Sequence, residues 1–131
     1  MGSSLAEKLL ARHAGLPQVR AGDLVVAGVT FAMVHDARAP NTIRMVEKMG
    51  AKSLPFAHKT AWVLDHFSPP PTIEAAQGHT AMRKFADEHG SVLYDIGDGI
   101  CHQVLPEGGH LTCGDLIVGT EEEFHIAGGS T

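Results

Sequence analysis

Three short apolar runs in this chain each lead into a histidine, an aspartate or both. Phe31-Ala32-Met33-Val34 ends at His35-Asp36, and Ala61-Trp62-Val63-Leu64 ends at Asp65-His66. Ser91-Val92-Leu93-Tyr94 leads through Asp95-Ile96-Gly97-Asp98-Gly99 to Cys101-His102. Runs of about four residues without polar alternation read as strands buried on both faces. Stretches with helical spacing separate them, and a helix is the usual crossover between parallel strands. The pattern therefore predicts an α/β layered domain with a largely parallel sheet, and it confines the polar residues to one end of that sheet.

The remaining elements follow from local signals. Ser4 and Glu7 have capping-box spacing ahead of a helix over 5–13, which Gly15 ends. Residues 23–28, Asp-Leu-Val-Val-Ala-Gly, read as another buried strand, and a similar phrase at 114–119 reads as the last one. Pro40 suits the first turn of a helix over 40–49, with Ile43, Val46 and Met49 on its inner face and Gly50 as its stop. A longer helix is expected over 72–89, with Ile73, Ala76, Met82, Phe85 and Ala86 inward and Gly90 closing it. His102 is expected between a strand end and the turn that begins at Pro106.

The chain has 131 residues, 44% of them hydrophobic, which suits one domain over 1–131 with a real core. A net charge of −5 gives no basic surface for nucleic acid or anionic membrane. No apolar run has the length of a membrane helix, no signal-peptide core stands at the start, and the expected location is the cytoplasm. The two cysteines, Cys101 and Cys113, are expected as free thiols, and neither belongs to a CxxC metal motif.

Ligands of open parallel sheets bind beyond the carboxyl ends of the strands. His35-Asp36, Asp65-His66, the stretch 99–102 and Glu121-Glu122-Glu123 all follow apolar runs, so they are candidates for one proton-transfer cleft. Each has a plainer rival. A lone histidine is more often a satisfied core residue, an acidic run is as often a solvated terminus, and Arg38 suits a surface position. His58, His79 and His110 read as exposed and idle, and Cys101 reads as a structural thiol before a nucleophile. His35, His66, His102 and Glu121 are metal-ligating types without short ligand spacing, so no metal is expected.

Val34-His35-Asp36-x-x-Ala39-Pro40, Leu64-Asp65-His66-Phe67, Pro71-Thr72-Ile73-Glu74-Ala75-Ala76 and the stretch from Gly99 to Glu107 resemble one family. They are similar, in order and to about Gly119, to the start of the large subunit of 3-isopropylmalate dehydratase and homoaconitase, within the aconitase superfamily. The resemblance implies a three-layer α/β/α domain and an isomerisation of hydroxy-acids by dehydration and rehydration around a [4Fe-4S] cluster. It implies that His35, Asp65, His66 and His102 lie at or near the active site, with His35-Asp36 as the family's His-Asp pair.

The chain also departs from that pattern. Glu121-Glu122-Glu123-Phe124 stands where the family reads Asp-Ser-His-Thr, and the sequence reads as a truncated form without the cluster cysteines and substrate-binding arginines. Two cysteines do not supply the three or four thiolates that a cluster needs, so no cluster is expected. Arg38 replaces a small or hydroxylated residue and suits bidentate recognition of a carboxylate.

Two readings follow. In the first, the chain is a stand-alone, cluster-free enzyme of lyase, isomerase or cyclisation type, acting on a small carboxylate-bearing molecule. His102, Asp65, His66, Glu121 and Glu123 would carry the acid–base chemistry, while His35, Asp36, Arg38 and Glu122 would bind substrate. In the second, it is a non-catalytic remnant or a subunit that needs a partner chain. A homo-oligomer is expected in either case, because a domain of a larger enzyme exposes apolar surface.

Overall fold

A computed structural model describes residues 2–120. The chain begins with α1 (Leu5–Ala14), whose capping box is complete: the Glu7 N–H donates to the Ser4 hydroxyl, and the Ser4 N–H donates to the Glu7 carboxylate. Gly15 closes α1 in the left-handed conformation. Then follow β1 (Phe31–His35), α2 (Ala39–Lys48), β2 (Thr60–Val63), α3 (Ile73–His89), β3 (Val92–Tyr94), α4 (Cys101–Glu107) and β4 (Ile117–Gly119). Pro40 occupies the first turn of α2, where a missing N–H costs nothing, and the Thr72 hydroxyl caps α3.

Among the described residues the strands form one sheet in the order β3-β2-β1-β4, with every pairing parallel. The period of two sorts the side chains onto its faces. Phe31, Met33, Ala61 and Val63 pack with Cys101, Val104 and Leu105 of α4 on one side. Val34, Trp62 and Leu64 pack with Ile43 of α2 and Met82, Phe85 and Ala86 of α3 on the other. The result is the expected three-layer α/β/α arrangement. In register, His35 lies beside Val63 and Val63 beside Tyr94, so Asp36, Asp65 and Asp95 all follow at the carboxyl edge.

Four expectations need correction. Residues 23–28 are not a buried strand: the segment lies outside the sheet, with Leu24 101% and Val26 92% exposed. Both neighbours of β1 are other segments, β2 and β4, and residues 23–28 pair with none of the four strands. The stretch around His102 is a helix rather than a strand end and turn, and Pro106 sits inside it. Met49 and Ile73 are exposed because they fall at the ends of α2 and α3, and Ala76 is exposed as well.

His79 and His110 are the fourth correction, since neither is exposed and idle. His79 is 2% exposed, and His110 is half-buried with its Nε2 2.8 Å from the Tyr94 hydroxyl. Where α2 meets α3, Gly78 faces Pro40, and a Cβ there would lie 3.2 Å from the proline Cγ. The residue after that close approach is His79.

Candidate functional site

The site is built where β1 and β2 end. Asp36 follows β1 with 3% exposure, and its carboxylate takes hydrogen bonds from three groups. The backbone N–H of His66 donates to Oδ1 at 3.1 Å, and the N–H of Phe67 donates to Oδ2 at 2.8 Å. His79 Nε2, reaching across from α3, donates to Oδ2 at 2.9 Å. A buried carboxylate needs such partners, and these three tie the end of β1 to the β2 loop and to α3.

Asp65 is the second node. Its Oδ1 accepts from His66 Nδ1 at 2.7 Å, and its Oδ2 accepts from the backbone N–H of Cys101 at 2.7 Å. Burial alone raises the Asp65 carboxyl. Hydrogen bonds from the His66 ring and from the Cys101 N–H and thiol outweigh that effect and hold it below the ordinary carboxylate value. The Cys101 N–H opens α4 and has no acceptor within the helix, so Asp65 caps α4 from across the fold. His102, the next residue of α4, is half-buried beside this tie.

The imidazoles of His35 and His66 stack with ring centroids 4.0 Å apart and an interplanar angle of 28°. His35 is held from the other side by Thr120: its N–H donates to the Thr120 hydroxyl at 3.3 Å, and its Nε2 donates to the Thr120 carbonyl at 3.3 Å. The side chain of His66 is 31% exposed, so this ring is both oriented and open to solvent. His35, Asp36 and His66 also offer two nitrogens and one oxygen within 4.8 Å of one another.

His35, Asp36, Asp65 and His66 are thus assembled in one place, and α4 brings His102 to the residue that Asp65 caps. Arg38 is exposed at the start of α2, two residues past Asp36. Glu121, Glu122 and Glu123 lie outside the described residues, immediately after Thr120, the residue that touches His35. His79 is the site residue that sequence reasoning missed. The available signal was its place on the Met82–Phe85–Ala86 face of α3, three residues before Met82.

A three-layer α/β/α domain whose parallel strands deliver His-Asp and Asp-His pairs to one edge is an aconitase-like domain. No family model matches the chain. It is 44% identical over 122 residues to 3-isopropylmalate dehydratase large subunit 1 of Methanopyrus kandleri, a match covering 92% of this chain and 29% of that one. The large subunit from Methanoregula boonei is 40% identical over 128 residues, covering 98% of this chain and 30% of its own length. That from Aquifex aeolicus is 38% identical over 122 residues, covering 92% and 28%. Over 92–98% of its length the chain is homologous to part of the 3-isopropylmalate dehydratase large subunit, and it spans about 29% of the length of the relatives it matches.

The residues present do not fit an iron–sulfur cluster. The sequence holds two cysteines where a cluster takes three or four thiolates. One of them, Cys101, is fully buried in the core with Phe31, Met33 and Val63, and its thiol and N–H are turned to Asp65. Among the described residues, no helix is long and apolar enough to cross a membrane.

Proposed function

We propose that the strand-end cluster is an acid–base site of hydro-lyase type acting on a small carboxylate-bearing molecule. The observation that carries this reading is the Asp65–His66 pair. An anchored, ionised carboxylate fixes one nitrogen of a partly exposed imidazole and so orients a ring that can exchange a proton with a ligand. His102 is the second proton-handling group, and Arg38 anchors the substrate carboxylate through its guanidinium fork. Glu121 or Glu123 supplies the remaining acid, with Glu122 on the substrate. Asp36 and His35 keep the two strand ends in register around it.

The names of the relatives supply the substrate class, a branched hydroxy-diacid such as 3-isopropylmalate. Such chemistry requires a proton to leave a carbon next to a carboxylate. The test is deuterium wash-in at that carbon, followed by NMR with 3-isopropylmalate in D2O. Wild type is expected to exchange, and His102→Ala and His66→Gln to slow exchange about a hundredfold or more. Wild type with no exchange, or variants that match it, would defeat the proposal.

The short match to the relatives favours a second reading, in which a partner chain completes the site. Exchange that appears only after a protein supplying the rest of a dehydratase is added would select it. The chain is also proposed to associate with copies of itself through its exposed apolar residues.

A further inference from the structure

We propose that the amino end of the sheet carries a binding site for a small aliphatic monocarboxylate, with Lys59 as its cationic partner. A cavity of about 260 Å3 opens there, between the segment that leads into β1 and the loop that leads into β2. Its size is close to the lower bound of small-molecule sites, roughly 300 Å3. Val29, Phe31, Leu54, Pro55 and Phe56 supply an apolar lining, and Lys59 is the charged group among them. Phe31 is buried, whereas Val29 and Phe56 are 48% and 67% exposed and leave apolar surface for a ligand to cover.

The polar groups of the lining decide the chemistry of the ligand. The two threonine hydroxyls are already committed: Thr30 donates to the Leu116 carbonyl at 2.9 Å, and Thr60 donates to the Phe56 carbonyl at 3.2 Å. Among the described residues the Lys59 side chain has neither an ion pair nor a hydrogen bond, so its ammonium is the group left to meet an anion. One ammonium balances one negative charge. A second charge on the ligand would lie unpaired against apolar side chains, which is costly, so a monoanion fits better than a diacid or a phosphate. The head group therefore pairs with exposed Lys59, and an aliphatic tail covers the apolar lining. The site is separate from the strand-end cluster, because Phe31 and His35 stand at opposite ends of β1, four residues or about 13 Å apart.

The inference stands apart from the acid–base reading, because its test measures binding without turnover. The full chain, labelled with 15N, is titrated with octanoate below its micellar concentration and with 1-octanol as the uncharged counterpart. Octanoate is expected to saturate one site, moving the amide signals of Thr30, Ala32, Lys59 and Thr60 and leaving those of Asp36 and His66 in place. 1-Octanol should bind the same residues about fivefold more weakly. Lys59→Met should abolish that preference and keep 1-octanol binding, while Phe56→Ser should weaken both ligands about tenfold. Both substitutions change exposed side chains, and circular dichroism should match wild type. Absence of saturable octanoate binding to wild type would overturn the site, as would shifts centred on Asp36 and His66. Equal affinity for octanoate and 1-octanol, or a preference retained in Lys59→Met, would overturn the role of the lysine. A fall in mass from dimer to monomer on adding octanoate, read by light scattering, would assign the cavity to a second copy of the chain instead.

Discussion

His79 Nε2 donates to Asp36 Oδ2 at 2.9 Å, and both side chains are withdrawn from water. The bond joins a residue of α3 to the end of β1, 43 positions apart. It sits under the candidate site, so its strength sets how firmly the floor of that site is held. Among the described residues His79 Nδ1 has no partner, which makes the Asp36 bond the polar role of this ring. His79→Leu removes one of three donors from a buried carboxylate and is expected to cost about 3 kcal/mol in denaturant unfolding. His79→Gln, which keeps an N–H donor, should recover part of that loss. If both variants unfold like wild type, Asp36 is held by the backbone donors alone.

Gly99 has φ of +140°, and a Cβ there would lie 2.7 Å from Val104 Cγ1. A side chain at this position meets both backbone strain and a packed neighbour in α4. Gly99→Ala should therefore destabilise the fold by about 2 kcal/mol or more. It should also disturb the approach of Cys101 to Asp65. Faster hydrogen exchange at the Cys101 amide than in wild type, read by NMR, would show that disturbance, and unchanged stability would refute the prediction.

Arg83 and Asp95 form a two-point ion pair, with Nε to Oδ2 at 2.7 Å and Nη2 to Oδ1 at 2.6 Å. The Arg83 hydrogen bonds hold the Asp95 carboxyl down at about 2, against an ordinary value of 3.8. A depressed acid stabilises the fold above its unfolded value and loses that contribution as pH falls. Here the loss spans pH 3.8 down to about 2. The side chains are 40% and 43% exposed, so solvent screening limits the pair to about 1 kcal/mol or less. Asp95→Asn should lower stability slightly at neutral pH and flatten its fall in that acid window. An unchanged acid limb would show that the pair adds nothing.

The parts of the fold carried by local signals were legible in the sequence. Ser4 with Glu7, Pro40, and the apolar runs of β1 and β2 each name their element within a few residues. What stayed hidden depends on distant partners. α4 is capped by Asp65, which is 36 positions away, so no local capping residue announces it. Residues 23–28 have the composition of a strand, yet they pair with no strand of the sheet and expose Leu24 and Val26, an outcome that local composition does not reveal. The pairs His35-Asp36 and Asp65-His66 were readable as doublets at strand ends, whereas the donation from His79 to Asp36 needed the packing of α3.

Leu24 and Val26 alternate along an extended segment and are both almost wholly exposed. Exposed apolar side chains of this kind favour association between chains. Under the proposed self-association, Leu24→Ser together with Val26→Ser should shift the mass in light scattering from dimer or higher to monomer. Wild type that is monomeric at every concentration would remove the proposal.

Arg38 tests the anchoring role separately from the chemistry. A residue that grips a carboxylate equally in ground and transition states affects KM, while a proton donor or acceptor affects kcat. Arg38→Ala is thus expected to raise KM about tenfold or more in the wash-in assay and to leave kcat near wild type. A fall in kcat alone would move Arg38 out of the anchoring role.

Asp65 is the residue whose replacement separates orientation from mere charge. Its two oxygens serve two donors, the His66 ring and the Cys101 N–H. Asparagine offers one acceptor oxygen and an NH2 that faces a donor, so Asp65→Asn must lose one of these bonds. If the ring bond is lost, His66 is released to its other tautomer and no longer presents the exchanging nitrogen. The expected result is a fall in exchange rate of about a hundredfold or more, with the fold retained by circular dichroism. The pH profile adds a check with a definite sign. Because the hydrogen bonds hold the wild-type carboxyl below its ordinary 3.8, it stays ionised through that value, and its stabilising effect is lost only on further acidification. Asp65→Asn has no such group, so its stability should be lower above pH 3.8 and should converge with wild type in stronger acid. Curves that stay parallel to the acid limit would mean that Asp65 acts through its shape rather than its charge.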